Sequence, residues 1–477
     1  MSIPFELLDA VFGAESTGTT PEDRARTSRR QFVRSQHQLT EYQPGASGRI
    51  LDATEALRLF GWSALAELAD RPSSPLLTDP AQPYQAIERK LDELGVSLRE
   101  AARKQGWTDD SIRRFQQRKQ VPFRDLERLA RGLDLEDEDQ LGIKVDNTGD
   151  QQVAARLRTL RRTDPRRFSA NTVLDLAESA WTIRKQMELA QMVDAPELDA
   201  VDRFCFCQSD DYGSQTTPTY VVGYRLAQEA RQLLGIGEEA PIPSMKELVE
   251  AELGIPVIQL DLYNDLAGAT VASRGKRGIV VNLQGDNSDP LVRRMTVAHE
   301  LGHFLWDPDH RLQRVVVDKY IDLTRNVVRS GGSLEREERR ANAFAIEFLA
   351  PRDAIVKLFH QSGNSAAGLA NVIRRYGISR TAATMHLYNV SKGNIVFDHE
   401  QIDMIELAGE WEGAESLAVP VFSPKSVPVS RRGRFAGYVV KALDHRLISR
   451  DTAASLLGCN PAELDIAVQS TRNYVIG

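Results

Sequence analysis

The stretch Thr296–Trp306, TVAHELGHFLW, constrains this chain more than any other. Two histidines four residues apart sit among Met295, Val297, Ala298, Leu301, Phe304 and Leu305, which predicts a helix that is apolar over most of its surface. A helix turns about 100° per residue, so His299 and His303 leave one face a turn apart. Two imidazoles placed that way can each give a nitrogen to one Zn2+ at about 2.0–2.1 Å. Glu300 lies beside them, where its carboxylate can take a proton from water on the metal. The spacing therefore predicts one Zn2+ per chain.

A chain of 477 residues has room for about three domains with cores of their own. Its net charge of −7 argues against nonspecific nucleic-acid binding by the whole molecule, though not by one basic module. The start, MSIPFELLDAVFGAE, lacks the basic end and unbroken apolar run of a signal peptide. No apolar stretch approaches the ~18 residues that span a bilayer. Three cysteines are too few for a disulfide framework, and Cys205-Phe-Cys207 reads as buried or incidental thiols ahead of a metal or redox pair. The expectation is a cytoplasmic protein with no membrane contact.

Punctuation by Pro, Gly and Ser divides the chain into five parts. These are residues 1–80, of unreadable role; 81–145, a run of short helices; 146–215, a helical connector; 216–395, carrying the histidines; and 396–477, a linker and helical hairpin. The basic segment Pro21–Gln43 reads as a solvated helix face, and Arg71–Pro83 as a linker. Arg156–Arg167 holds six arginines in twelve residues, read as a solvated face ahead of a phosphate or acidic-partner patch. Beyond Tyr220 the pattern gives helices, then strands at Val257–Leu260, Ala267–Ala272 and Gly278–Asn282, then the helices Leu291–Leu305 and Leu334–Leu349. The fold class expected is multidomain and mainly α, with a small β-sheet in the histidine-bearing domain and helical modules on either side.

Within residues 84–133, Ser97 and Thr108 cap successive helices and the Gly106–Trp107–Thr108 break suits a helix-turn-helix. Arg99–Arg124 holds eight basic and three acidic residues, net +5. The stretch resembles the helix-turn-helix of phage-repressor-type (XRE) regulators. That resemblance implies a recognition helix Asp109–Lys119, with Arg113, Arg114, Gln117, Arg118 and Lys119 as DNA contacts. Asp109 and Asp110 depart from it, since carboxylates at the start of that helix repel phosphate. The alternative is a helical bundle for protein contact.

A catalytic zinc takes a third protein ligand. A metzincin would supply histidine at 309, but that residue is Asp309, and His310 is out of register. The other source is a glutamate on a separate helix, where Glu335, Glu337, Glu338 and Glu347 are available. Glu338 and Asn342 share a face, so one could ligate while the other hydrogen-bonds a ligand histidine. Glu337 points about 100° away, towards solvent.

AHELGHFLW followed by E-x-x-A-N-x-F-A-x-x-F-L-A-P, Glu338 to Pro351, resembles the ImmA/IrrE metallo-endopeptidases, which are gluzincin-like. The resemblance spans about residues 220–395. It implies His299, His303 and Glu338 as zinc ligands, Glu300 as general base and Asn342 behind a ligand histidine. Arg340 stands where the family has an acidic residue, which favours Glu338 further. The long spacer between His303 and Glu338 suggests a lid or regulatory loop. An extended substrate is expected along Gly278–Asn282 as an edge strand. Tyr320, His310 and His386 are the candidates for steadying the oxyanion.

The implied function is limited cleavage of a regulatory protein, a repressor or antitoxin encoded nearby, in stress, phage-defence or mobile-element control. DNA is a second candidate partner, and the C-terminal hairpin a candidate homodimer contact. One rival is a DNA-binding transcription regulator whose protease-like domain senses a ligand without proteolysis. Another is an antitoxin-like protein that neutralises a toxin through its helical modules.

Overall fold

Packing divides the chain differently from its linear order. One compact unit joins Met1–Ala195 to Val419–Gly477, and the second is Pro196–Ala418 between them. The computed structural model describes residues 3–34, 38–44, 46, 49–71, 73–75, 83–135, 168–195, 218–262, 266–273, 276–306, 316–319, 333–363, 365–398, 402, 405, 411, 415 and 422–475. Cys205, Cys207, Arg156–Arg167, Asp309, His310 and Tyr320 lie outside the described residues. The fold is multidomain and mainly α-helical, with small sheets. Among the described residues, no helix is long and apolar enough to cross a membrane.

The first unit opens with α1 (Phe5–Phe12) and α2 (Pro21–Thr27), then β1 (Gln31–Arg34), β2 (Gln38–Glu41) and β3 (Arg49–Asp52). α3 (Ala53–Asp70) starts from a capping box of Asp52 and Glu55 and kinks at Gly61, whose φ is +76°. With β4 (Ser74–Pro75) the strands form an antiparallel sheet ordered β3-β1-β2-β4. This sheet runs through the segment expected as a solvated helix face. Its apolar residues are few, and Phe32, Leu39 and Leu51 meet Leu8, Phe12 and Leu65 in one core. Arg24 is buried there rather than solvated, donating to the Gly18 carbonyl at 2.8 Å and to Asp9 at 2.7 Å.

Four short helices follow: α4 (Pro83–Leu94), α5 (Leu98–Lys104), α6 (Asp109–Gln116) and α7 (Phe123–Gly132). Ser97 and Glu100 make a capping box for α5, and Thr108 caps α6, as their sequence positions predict. The long α8 (Ala170–Met192) completes this part of the unit.

The second unit begins with α9 (Thr219–Leu233) and α10 (Met245–Glu247), which runs on as a π-helical turn, Leu248–Glu252. Strands β5 (Val257–Leu260), β6 (Leu266–Ser273) and β7 (Lys276–Asn282) precede α11 (Pro290–Trp306), the helix with the two histidines. After β8 (Val316–Lys319) come α12 (Ser333–Leu349), α13 (Arg352–Gln361), α14 (Ala366–Tyr376) and α15 (Arg380–Val390). The sheet order is β5-β7-β6-β8. The expected edge strand Gly278–Asn282 is therefore interior: β7 pairs in parallel with β5 on one side and antiparallel with β6 on the other. β6 is closed too, because β8 pairs with it antiparallel.

Side-chain amides fasten this sheet to α11. Asn282 Nδ2 donates to the carbonyls of Leu262 at 3.0 Å and Leu266 at 2.8 Å. Asn287 Nδ2 donates to those of Ala267 and Asn282, both at 2.8 Å. The Asn287 Oδ1 in turn accepts from Thr296 Oγ1 at 2.8 Å. Both asparagines are fully buried, so these bonds are required to offset their desolvation.

Two glycines set how closely α12 approaches its neighbours. A Cβ on Gly302 would lie 2.8 Å from the Phe344 ring, and one on Gly223 would lie 2.4 Å from the Arg340 carbonyl. The absent side chains let α11 and α9 press against α12 without displacing its aromatic residues. Phe344, Phe348, Leu301 and Trp306 then share one core with Leu369, Ile373, Tyr376 and Leu387 of α14 and α15.

The chain returns to the first unit with α16 (Arg434–Asp444), α17 (Arg450–Leu457) and α18 (Leu464–Val475). The predicted hairpin is thus followed by a third helix, and its apolar face packs inside the unit, with Phe435, Val439 and Leu457 joining Trp181 and Leu189 of α8. Trp181 meets two guanidinium groups, Arg131 at 5.3 Å and Arg431 at 5.2 Å. Both arginines donate to the Ser455 carbonyl, and Arg431 also pairs with Glu178 at 2.5 Å.

The close approach at Gly302 predicts the effect of one added methyl group. Gly302→Ala should destabilise the protein by about 1–3 kcal/mol through overpacking. Urea unfolding followed by circular dichroism measures it, and unchanged stability would contradict the packing described.

Candidate metal centre

From Arg294 to Trp306, α11 is buried on all sides. Each polar side chain in that span must therefore be satisfied inside the protein. Arg294 is: it pairs with buried Glu415, donates to the carbonyls of Gly377 at 3.0 Å and Ile242 at 2.7 Å, and lies 4.1 Å from the Trp411 ring centroid. Glu415 also accepts from the Met245 amide at 2.7 Å, at the start of α10.

The remaining ionisable groups of α11 converge with Glu338 of α12. His299 Nε2 is 3.0 Å from His303 Nε2, 3.3 Å separates it from Glu338 Oε2, and His303 Nε2 is 3.6 Å from Glu338 Oε1. Tetrahedral ligands on Zn2+ stand about 3.3 Å apart, so three donors at these separations match the ion. The tautomer agrees. His299 Nδ1 lies 2.9 Å from Asn342 Oδ1, and that oxygen can only accept, so Nδ1 carries the hydrogen and Nε2 a lone pair. Burial by itself would raise the Glu338 carboxyl, but His303 and His299 beside it, when they carry a proton on Nε2, hold it well below the usual carboxylate range. It stays an anion, as a metal ligand must. Among the described residues, His299, His303 and Glu338 form the group able to hold a metal ion.

Glu337 corrects a sequence expectation. It is buried, not solvated, because α12 is covered on more than its metal face. Glu347, another candidate ligand, is engaged elsewhere: it accepts from Gln228 Nε2 at 3.1 Å and from the Arg352 amide at 3.1 Å.

Glu300 is fully buried beneath β6. Its Oε2 accepts from Thr270 Oγ1 at 2.7 Å. A Cβ on Gly268 would lie 2.9 Å from Glu300 Oε1 and 2.9 Å from Thr296 Cγ2, so the carboxylate occupies space that only glycine leaves. Gly268 and Thr270 are two apart on a strand and share a face. Sequence reasoning missed both. The signal was a glycine inside a strand, which marks a close approach of another group.

His386 does not serve as an expected oxyanion donor. Its Nε2 lies 3.0 Å from the Ala350 carbonyl, which accepts its hydrogen, and Glu347 is 3.9 Å away. Of the five expected DNA contacts, only Arg113 and Arg114 lie on α6. The helix ends at Gln116, shorter than the expected Asp109–Lys119, because Gln117 is its C-cap and Arg118 has a φ of +56°. Arg118 pairs with Glu88 at 2.7 Å, Arg114 Nε donates to the Gln120 carbonyl at 2.9 Å, and the Lys119 carbonyl accepts from Tyr84. Arg113 is exposed and 3.6 Å from Asp110.

Two facing helices, with a histidine pair on one and a carboxylate on the other, form a centre with the donor set of a metal site. Residues 250–388, from the π turn into α15, match the Peptidase_M78 family, described as the IrrE N-terminal-like domain. The match supports the resemblance to the ImmA/IrrE proteins over the segment that holds every residue of the centre. No curated protein matches the chain.

Two predictions follow from these geometries. Asn342→Ala should weaken Zn2+ binding about 10–100-fold by freeing the His299 ring, as read by competition with a chelator of known affinity. Burial pushes the His386 imidazole down to about 4. The unfolded chain takes up this proton below about pH 6.5 and the folded one refuses it until about 4. Stability from this group is full above pH 6.5 and falls away as pH drops through 4, by on the order of 3 kcal/mol. His386→Gln should flatten that part of the pH–stability curve, and an unchanged curve would show that another group causes the acid loss.

Proposed function

We propose that the second unit is a zinc-dependent endopeptidase of gluzincin type. His299 Nε2, His303 Nε2 and a carboxylate oxygen of Glu338 would hold the metal. The observation that carries this reading is the 3.0–3.6 Å convergence of three donors from α11 and α12, with Asn342 fixing the His299 tautomer. When bound, zinc supplies Lewis acidity, polarising a peptide carbonyl and making nearby water more acidic. Glu300, one residue from His299 and shielded from bulk water, takes a proton from the attacking water on its carboxylate and returns it to the leaving amine. Asn342 keeps the His299 ring turned so that Nε2 faces the metal.

The proposed substrate is a regulatory protein. A repressor or antitoxin encoded nearby answers that description, in stress, phage-defence or mobile-element control. The resemblance to ImmA/IrrE proteins supports it, as does the helical module α4–α7 in the same chain, which is proposed to recognise the substrate or its DNA. Among the expected DNA contacts, Arg113 and Lys119 are exposed, and Arg113 lies on α6.

Glu300→Gln tests the reading. The variant should keep one zinc per chain by metal analysis and lose cleavage of the neighbouring gene products by about 10²–10⁴-fold. Undiminished cleavage would remove Glu300 from the chemistry. Absence of zinc from the wild-type protein purified without chelators would remove the peptidase reading.

A further inference from the structure

We infer that Thr270 is a positioning residue for the general base, and that Gly268 makes room for it; this rests on the peptidase reading above. Glu300 has no exposure to bulk water, so its orientation is decided by protein groups around it. Thr270, itself fully buried, donates its hydroxyl hydrogen to Glu300 Oε2 at 2.7 Å. The same oxygen, Thr270 Oγ1, lies 3.2 Å from the Glu300 backbone carbonyl, so one hydroxyl spans both ends of the residue.

Gly268 contributes by absence. Its φ is not in the left-handed region, so backbone freedom is not what requires glycine here. The requirement is space: a methyl group would stand 2.9 Å from Glu300 Oε1 and 3.1 Å from Glu300 Cγ. β6 therefore presents a gap and, two residues on, a hydroxyl, to the one side chain of α11 expected to carry protons. The strand's position is fixed on both sides, by β7 and by β8, whose Val316 stands opposite Thr270. The tether is thus anchored in an interior strand rather than a loop.

A hydroxyl donated to one carboxylate oxygen does two things. It fixes the plane of the carboxylate, and it directs incoming protons to the other oxygen. Thr270 acts through Glu300, whose carboxylate it holds.

The test uses full-length protein loaded with Co2+, whose visible absorption reports the centre without a natural substrate. The probe is acetohydroxamic acid, which binds as its anion and passes its hydroxyl proton to the neighbouring carboxylate. Wild type should take up cobalt and change its spectrum as the probe is added. Thr270→Val should bind cobalt with unchanged affinity and weaken the probe about tenfold, whereas Thr270→Ser should restore it. Thr270→Ala supplies the same comparison without the extra methyl group of valine. Thr270→Val should add nothing further in a Glu300→Gln background, since a residue acting through Glu300 has no effect once that carboxylate is gone. Gly268→Ala should mimic Thr270→Val.

Probe binding that is weakened by Glu300→Gln but unaffected by Thr270→Val and Thr270→Ala would overturn this inference and leave the peptidase reading standing. Loss of cobalt in the Thr270 variants would also overturn it, since the residue would then be supporting the metal site. Failure of wild type to take up cobalt, or of Glu300→Gln to alter the probe, would overturn the peptidase reading itself.

Discussion

A helix that is buried on every side yet carries an arginine, two histidines and a glutamate is the constraint on which the second unit depends. Desolvating such groups costs several kcal/mol each unless partners are supplied. Each partner comes from a different stretch of chain. Arg294 is answered by Glu415 and two loop carbonyls, His299 and His303 by α12, and Glu300 by β6. The sheet, the second helix and Glu415 can be understood as what α11 requires in order to be buried at all.

The same constraint explains why small residues recur at the contacts. Gly302 lets α12 approach α11, Gly223 lets α9 approach α12, and Gly268 admits the Glu300 carboxylate beneath β6. Each replaces a side chain with proximity. The apolar core around Phe344 and Phe348 supplies most of the adhesion, while the glycines set the distances that the donors need.

The centre was legible in the sequence because its information is local. His299, Glu300 and His303 follow helical spacing, and Glu338 with Asn342 follow it again on the next strong helix. Helix ends were legible for the same reason, as at Ser97 and Thr108, whose side chains accept from the amides of Glu100 and Ser111. What is not local was lost. The order of strands depends on which edges meet, so β7 read as an edge although β5 covers it. Glu337 read as solvated because the helical angle gives direction but not what lies there. The N-terminal sheet has strands of four residues or fewer, too short for alternation to stand out from the surrounding polar sequence. Thr270 was invisible because nothing in a lone threonine announces the carboxylate beneath it.

The first unit is assembled from the two ends of the chain, and Trp181, held between Arg131 and Arg431, is one of its closures. Continuity of the backbone through residues 196–418 is therefore not what keeps those ends together. A single cut in that stretch would leave two fragments joined by a packed core, by the bonds of both arginines to Ser455 and by the Arg431–Glu178 pair. Such a nicked molecule would migrate as one particle under native conditions and as two pieces in denaturant. Intactness of the polypeptide and integrity of the first unit are, in this architecture, separate properties.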